Sequence, residues 1–180
     1  MRRKTEWLIV IAALLSAAAG WHASRLLPSH RQSAVVDAAP VLPSALPELE
    51  LPDLDGRPQP LSQWRGKLLL LNFWAGWCPP CVAEMPLLER MQGELGDRGL
   101  QIVGVAADAP APTRDFLARH PVRYPILIDD PALGDLSRVL GNDRNVLPYS
   151  VLVDRDGRIV ERHFGDFDEG RLKTWLAPYL

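Results

Sequence analysis

The fold of this chain is decided by residues 68–81, which read Leu68-Leu69-Leu70-Leu71-Asn72-Phe73-Trp74-Ala75-Gly76-Trp77-Cys78-Pro79-Pro80-Cys81. A continuous apolar run followed by helix signals is typical of a central parallel strand with both faces buried. The two prolines after Cys78 suit the first turn of a helix, where a missing N–H costs nothing. The sequence therefore predicts a buried strand that leads into a helix, with a Cys-x-x-Cys pair at the helix start.

Composition, net charge and cysteine spacing argue against nucleic-acid binding and against a structural disulfide. Of its 180 residues 47% are apolar and 23% are charged, an ordinary globular balance, and the net charge is −2. The chain lacks the excess of basic residues that is typical of nucleic-acid-binding proteins, so we expect no nucleic-acid partner. The two cysteines lie three positions apart, and a disulfide between them closes too small a loop to staple the fold.

The histidines do not suggest a metal site. They are scattered along the chain without ligand spacing, and a zinc site normally needs four ligands. We therefore expect each to lie at the surface, and we expect neither a metal nor a cofactor. The four are His22, His30, His120 and His163.

Residues 1–23 have the pattern of a membrane anchor. Three basic residues at positions 2–4 precede an apolar run from Trp7 to Trp21 that continues to Ala23. The apolar run from Trp7 to Ala23 is at the short end of what a membrane-spanning helix needs. The positive-inside rule keeps the basic residues in the cytoplasm. A cleaved signal peptide is the main alternative, and a buried globular helix is the remaining one. Whether the segment is an anchor or a cleaved signal peptide, the rest of the chain is expected to be exported across the membrane.

The segment after the anchor divides into a linker and one domain. Residues 24–46 are rich in Ala, Ser and Pro and predict a flexible tether. From residue 47 to the C-terminus the patterns predict an α/β layered domain with a mixed sheet. Strands are expected near residues 48–51, 59–61, 67–74, 101–106, 124–128, 150–153 and 158–163. Helices are expected from the cysteines to residue 95, from Thr113 to 119, over 134–140, and after Asp168.

The position of the cysteines predicts redox chemistry. Cys78 at a helix N-terminus faces unpaired backbone N–H groups and the positive end of the helix dipole. Both favour the thiolate, the attacking species in disulfide exchange, so we expect a lowered pKa for Cys78. Pro79 and Pro80 stiffen the small ring that closes when the cysteines pair. Cys81, one turn further into the helix, is the expected resolving thiol; two inert buried cysteines are the alternative.

From Leu51 to the C-terminus the chain resembles the thioredoxin superfamily, and within it the exported, membrane-tethered TlpA/ResA-like reductases, the redoxin or DsbE-like branch. The matching motifs are Gly66-Lys67, Asn72-Phe73-Trp74-Ala75, Trp77-Cys78-Pro79-Pro80-Cys81, Glu84 and Pro86. The resemblance implies a thioredoxin-like three-layer α/β/α fold with a mixed sheet of four or five strands. It also implies an extra strand–helix element between residues 106 and 145.

The resemblance assigns roles to residues along the active-site helix. It implies that Glu84, which helical spacing places beside Cys81, lies near the disulfide and handles protons during exchange. Plain thioredoxins carry a buried Asp where this chain has Asn72, and this difference shifts the proton role to Glu84. Asn72 is then a buried polar group that needs a partner. Pro86 is expected to kink the helix; ending it is the alternative.

The resemblance also predicts a surface for the client protein. It implies that Pro148 follows a cis peptide bond and lies against the disulfide. The N–H and C=O of Leu147 would then pair with an extended client chain, and the bulk of Leu147 would narrow substrate choice. Trp77 is expected to form an apolar lip beside Cys78. Whether Trp74 flanks the site or lies in the core stays open.

The function expected from these residues is that of an exported thiol–disulfide oxidoreductase that reduces client disulfides. The resemblance implies recycling by a membrane thiol carrier of the DsbD/CcdA type, clients in cytochrome c maturation, and a place in the bacterial inner membrane facing the periplasm or cell exterior. An oxidase that donates its disulfide is an alternative, distinguished by reduction potential. A thiol peroxidase lacks its usual Thr-x-x-Cys motif here, and a copper-delivery module lacks nearby His or Met ligands.

Overall fold

The computed structural model describes residues 43–130 and 135–180 of the chain. The strands are β1 (Glu50–Pro52), β2 (Pro58–Pro60), β3 (Leu68–Trp74), β4 (Leu100–Ala106), β5 (Ile126–Ile128), β6 (Tyr149–Val153) and β7 (Ile159–Phe164). The α-helices are α1 (Pro79–Leu95), α2 (Pro110–Leu117), α3 (Leu136–Val139) and α4 (Glu169–Leu176). The predicted anchor at 1–23 and most of the predicted linker lie outside the described residues. Within the described ranges, no helix has the length and apolar character that crossing a membrane requires.

A mixed five-stranded sheet forms the centre of the domain, in the order β5-β4-β3-β6-β7. Strands β3, β4 and β5 run parallel, while β6 is antiparallel to β3 and β7 is antiparallel to β6. Strands β1 and β2 pair separately as a small antiparallel sheet. This topology confirms the thioredoxin-like α/β fold, with five strands in the main sheet.

Strand β3 is central, and both of its faces are buried along all seven residues. Leu68, Leu70 and Trp74 pack in one core cluster with residues of α1 and α4, while the odd-numbered residues between them pack in a second cluster on the other face. Alternation along a strand therefore turns Asn72 towards α1. The Asn72 side-chain amide donates a hydrogen bond to the Ser150 hydroxyl on β6 at 3.1 Å, which supplies the partner that its burial requires.

Helix α1 begins where the sequence predicts, because Cys78 occupies the N-cap and Pro79 the first helical position. The helix continues past Pro86 to Leu95, so the alternative in which Pro86 ends the helix is wrong. A 3₁₀ turn over Gly96–Arg98 follows, and Gly99 with φ 97° completes the change of direction. The helix thereby returns the chain to the start of β4, parallel to β3.

The prediction that Thr113 caps a helix is wrong. Helix α2 begins earlier, at Pro110 after the N-cap Ala109, because a proline is well suited to the first helical turn. Thr113 lies inside the helix, where its hydroxyl donates to the Ala109 carbonyl at 2.9 Å. The other predicted cap is confirmed, since the Asp168 carboxylate accepts from the Arg171 N–H at 2.9 Å and α4 follows.

The first described residues pack on the far edge of the sheet. The Ser44 carbonyl accepts from the Ile159 N–H at 2.9 Å, and the Leu46 N–H donates to the Gly157 carbonyl at 2.9 Å. These bonds hold residues 44–46, the end of the predicted linker, against the beginning of β7.

We predict that Gly104→Ala, in the middle of β4, lowers the free energy of unfolding by about 1–3 kcal/mol. A Cβ at this position would lie 2.7 Å from Ile126 Cδ1, 3.0 Å from Trp74 Nε1 and 3.1 Å from Tyr124 Cε2, so the packing beside the active-site strand must shift. Urea unfolding followed by circular dichroism measures the change.

The matched control is Gly93→Ala on the exposed side of α1, where a Cβ meets nothing within 4 Å. Alanine is the better helix former, so this control should raise the free energy of unfolding by about 0.5–1 kcal/mol. Equal stability of the two alanine variants would contradict the close packing over Gly104.

Candidate active site

The candidate site lies at the edge of the sheet where the parallel strands end. Residues directly after β3, β4 and β5 meet there, and this edge is where α/β folds place their ligands. They line a groove of about 460 Å³. Its walls are formed by Trp77, Cys78, Pro79, Pro80, Ala107, Asp129, Asp135, Ser137, Asn145 and Leu147.

The two cysteines are joined in a disulfide, with an S–S distance of 2.05 Å. Cys78 Sγ takes the place of a capping oxygen and accepts a hydrogen bond from the Cys81 N–H at 3.4 Å. Both cysteines are buried in the same core cluster, but Cys78, 5% exposed, lines the groove, whereas Cys81, 1% exposed, does not. A partner that enters the groove can therefore reach Cys78, while Cys81 is covered.

The two tryptophans of the motif have different surroundings. Trp77 is 69% exposed and stands in the groove wall beside Cys78, together with the exposed Pro79 and Pro80. Trp74 is 1% exposed, and its ring lies 5.3 Å from that of Phe116. The sequence left open whether Trp74 flanks the site or lies in the core, and the structure shows that it lies in the core.

The loop before β6 contributes to the wall of the groove. The Leu147–Pro148 peptide bond is cis, as the resemblance implies. Leu147 lines the groove, and within the described residues its backbone N–H and C=O form no hydrogen bond. The Pro148 carbonyl accepts from the Gly165 N–H at 2.9 Å, which ties this loop to the end of β7.

Glu84 lies on the buried face of α1 and is 3% exposed. Both carboxyl oxygens lack a hydrogen-bond partner within the described residues. The pKa of Glu84 is raised from 4.5 to about 8, chiefly by burial and in smaller part by the nearby Asp166 carboxylate. The Phe167 backbone and the Asn72 amide lie close enough to oppose this shift, although neither reaches hydrogen-bonding geometry.

This carboxyl links protonation to folding. The folded chain binds the Glu84 proton more tightly than the unfolded chain, so its contribution to stability is complete below about pH 4.5. The contribution is lost as the pH rises through about 8, where the folded carboxyl ionises. A carboxyl that exchanges its proton near neutral pH suits general acid–base chemistry.

The sequence did not reveal four polar residues of the groove. Asp129 is buried, its carboxylate accepts from the Leu136 N–H at 2.8 Å, and burial raises the pKa of Asp129. Asp135 caps α3 by accepting from the Arg138 N–H at 3.0 Å, while Ser137 and Asn145 complete this wall. The one available signal was that Asp129 directly follows the parallel strand β5, at the edge where Cys78 follows β3.

Two further expectations concern histidines and metals. His163 is half-buried: its ring stacks on Phe167 with centroids 3.9 Å apart and also lines a surface groove, so the expected surface position holds in part for this residue. His120 is exposed, and His22 and His30 lie outside the described residues. Across residues 43–130 and 135–180, no three His, Cys, Asp or Glu side chains come together as metal ligands would.

Comparison with known proteins places this geometry in a family. Residues 43–176 match the Redoxin family model. The chain is 31% identical over 183 residues to the thiol-disulfide oxidoreductase ResA of Halalkalibacterium halodurans, covering 97% of this chain and 95% of the relative. It is 35% identical over 136 residues to the thioredoxin-like protein YneN of Bacillus subtilis, covering 72% of this chain and 75% of that protein.

A solved structure shows the same fold. The crystal structure of a DsbE-like thiol:disulfide interchange protein from Chlorobium tepidum superposes with a TM-score of 0.69 at 29% identity, covering 77% of this chain and 96% of that one. The match to the family model spans the sheet, both cysteines and the cis-proline loop. This chain therefore belongs to the Redoxin family and is a thiol–disulfide oxidoreductase.

Proposed function

We propose that this chain is an exported reductase of protein disulfides. The observation that carries the proposal is the unequal placement of the two sulfurs, with Cys78 open to a groove at the N-terminus of α1 and Cys81 covered behind it. A helix N-terminus favours the thiolate form of the groove-facing cysteine in the reduced protein. Similarity to ResA and to the DsbE-like structure supports the same reaction class.

The reaction proceeds in two exchanges. In the first, the Cys78 thiolate attacks one sulfur of the client disulfide; a Cys78–client bond forms, the client disulfide breaks, and the released client thiolate takes a proton. In the second, Cys81 gives its proton to Glu84 and attacks Cys78 Sγ. The Cys78–Cys81 disulfide forms, the second client thiolate leaves, and two electrons have passed to the client.

The groove suits an extended polypeptide. Leu147 offers a free backbone N–H and C=O beside Cys78, so a client strand can pair with it by β-augmentation. Trp77 adds an exposed aromatic surface to the same groove, against which an apolar client side chain can pack. In this proposal Leu147, Pro148 and Trp77 bind the client, and Cys78, Cys81 and Glu84 perform the exchange.

The cellular setting is part of the proposal. The apolar run at residues 1–23 would anchor the chain in the bacterial inner membrane, with residues 24–46 as its tether and the domain facing the periplasm or cell exterior. A dithiol in that oxidising compartment must be re-reduced, and a membrane thiol carrier of the DsbD/CcdA type would supply the electrons. Proteins of cytochrome c maturation are the proposed clients.

The reverse reaction, donation of a disulfide by an oxidase, uses the same residues and differs in reduction potential. We predict that the Cys78/Cys81 couple equilibrates with glutathione buffers at a potential below about −200 mV, because a reductase needs a dithiol that gives up electrons readily. Quantifying thiols after acid quenching measures the potential. A value well above −200 mV would assign the chain to the oxidases.

We predict that Cys81→Ala traps a mixed disulfide on Cys78. Without the resolving thiol, the reduced variant should attack insulin, used as a defined protein disulfide, and remain covalently attached to one insulin chain. Non-reducing electrophoresis and mass spectrometry detect the adduct, and dithiothreitol should release it. Cys78→Ala is the matched control, because its remaining thiol is covered; adducts of equal yield with both variants would refute the assigned roles.

We predict that Glu84→Gln slows release of the client from the mixed disulfide by on the order of 10²-fold, the usual contribution of a positioned base. In the wild type this rate should rise as Glu84 ionises near pH 8, and the variant should lose that dependence. Stopped-flow measurement of thiol release over a pH series gives both results.

The control for Glu84→Gln is Glu94→Gln. Glu94 is exposed on the same helix, and its carboxylate lies 3.7 Å from Lys173 Nζ. It should leave the rate and its pH profile unchanged. A wild-type profile retained in Glu84→Gln would exclude Glu84 from the proton transfer.

A further inference from the structure

The α3–β6 loop, over residues 140–148, is organised around one buried side chain, that of Asn142. This residue is fully buried and is not among the residues that line the active-site groove. Its Nδ2 donates to the Val146 carbonyl at 2.9 Å, and its Oδ1 accepts from the Val146 N–H at 3.0 Å. One side-chain amide therefore takes both backbone polar groups of a single loop residue.

This pair of bonds has the pattern by which facing residues of two antiparallel strands exchange their backbone hydrogen bonds. The Asn142 amide can stand in for a neighbouring strand because it carries a carbonyl acceptor and N–H donors side by side. Val146 lies before the start of β6, so the sheet does not supply its partners. The side chain of Asn142 supplies them instead, as burial of a backbone requires.

The other polar groups of Asn142 tie it to helix α3. Its Nδ2 also donates to Ser137 Oγ at 3.1 Å, and its backbone N–H donates to the Ser137 carbonyl at 2.9 Å. Ser137 Oγ in turn donates to the Asp135 carboxylate at 2.8 Å. Both hydrogens of the Asn142 amide are therefore used within the loop and the helix, and the side chain that holds Val146 is itself fixed.

A turn at Asn145 brings Val146 back to Asn142. The Asn145 N–H donates to the Asn142 carbonyl at 3.2 Å, and Asn145 has φ 51°. Asparagine is one of the few residues besides glycine that enter this left-handed region readily. Asn145 and Leu147, on either side of Val146, both line the groove beside Cys78. The residues that meet the groove thus flank the one that Asn142 holds.

This arrangement accounts for the free backbone groups of Leu147. A residue before a proline favours extended backbone, and in extended backbone the N–H and C=O groups of successive residues point to opposite sides. Since both groups of Val146 are bonded to Asn142, we expect those of Leu147 to point away from it. They have no hydrogen-bond partner within the described residues.

We propose that Asn142 is a positioning residue for client binding: by taking both backbone groups of Val146, it leaves those of Leu147 presented at the groove, where an extended client chain pairs with them. The inference rests on the proposed function and names the residue that prepares its client site. Asn142 does not line the groove, so it acts through the loop backbone. A pairing edge formed in advance lowers the cost of ordering that binding would otherwise meet.

The test compares Asn142→Ala with the wild-type full chain in single-turnover reduction of two disulfides. Insulin offers a polypeptide that can pair with Leu147, whereas hydroxyethyl disulfide has no peptide groups and needs only access to Cys78. Loss of the bonds to Val146 should raise the half-saturating insulin concentration by about tenfold, the weight of one or two hydrogen bonds. The maximum rate with insulin and the rate constant with hydroxyethyl disulfide should be unchanged.

The matched control for a general loss of stability is Thr113→Val. Thr113 is buried in α2, and its hydroxyl bond to the Ala109 carbonyl disappears while valine keeps the shape of the side chain. This variant should lower the free energy of unfolding and leave both reactions unchanged. The inference is overturned if Asn142→Ala keeps the wild-type half-saturating insulin concentration, if it slows both disulfides equally, or if Thr113→Val shows the same selective change.

Amide hydrogen exchange, followed by NMR, tests the arrangement in the wild-type chain. The Val146 amide should be protected at least about tenfold more than the Leu147 amide, because only the Val146 N–H is bonded. In the insulin adduct of Cys81→Ala, the Leu147 amide should become protected by the client chain. If Asn142→Ala does not fold, these results decide: a Leu147 amide protected in the free protein, or unprotected in the adduct, overturns the inference.

The outcomes separate this inference from the proposed function. If the wild type does not reduce insulin, the reductase proposal fails, and amide exchange decides the role of Asn142. Loss of Val146 protection in Asn142→Ala then supports the positioning of the loop, and retained protection overturns it. A chain that reduces insulin with the same half-saturating concentration with and without the Asn142 amide supports the reductase and overturns this inference.

Discussion

A sulfur atom stands in the capping position of helix α1, and the rest of the site depends on it. Strand β3 is buried on both faces and therefore rigid, so it delivers Cys78 to a defined point at the edge of the sheet. Pro79 then starts the helix without losing a hydrogen bond, and the Cys81 N–H turns back to the Cys78 sulfur. One sulfur faces the groove and the other is one turn deeper in the core.

The same helix carries a group that is costly to bury. Glu84 shares the core with apolar residues, and its carboxyl oxygens have no hydrogen-bond partner among the described residues. Such a carboxyl weakens the fold whenever it ionises, and a structure selected for stability alone would replace it. In the proposed exchange this carboxyl, one helical turn from Cys81, accepts a proton at a place that water does not reach.

Long-range contacts connect the cis-proline loop with the surroundings of Glu84. The cis-proline loop, which forms the wall of the groove, is bonded through the Pro148 carbonyl to the loop that carries Phe167. The Phe167 backbone in turn lies near the Glu84 carboxyl, on the buried face of α1. The cis-proline loop and the surroundings of Glu84 are therefore parts of one packed unit, which the antiparallel pair β6–β7 holds together.

The sequence by itself determined the features that depend on near neighbours. The four leucines predicted the buried strand, the Cys-Pro-Pro-Cys run predicted the start of α1, and Asp168 predicted the cap of α4, because each is a local property of the backbone. Similarity to a known family supplied the cis bond before Pro148, which composition does not reveal. The sequence prediction began α2 at Thr113, whereas the helix begins at Pro110, because a proline already fits the geometry of the first helical turn.

Only the tertiary structure decided which residues meet across the sheet. It placed Trp74 in the core, brought Asp129 and Asp135 into the groove, and brought the Phe167 backbone near Glu84. Each of these contacts joins elements that are far apart along the chain, and no periodic pattern records such a contact. Solvent exclusion raises the pKa of Glu84, and it is a property of the whole packed core. It therefore exists only in the folded domain, where α4 packs against α1.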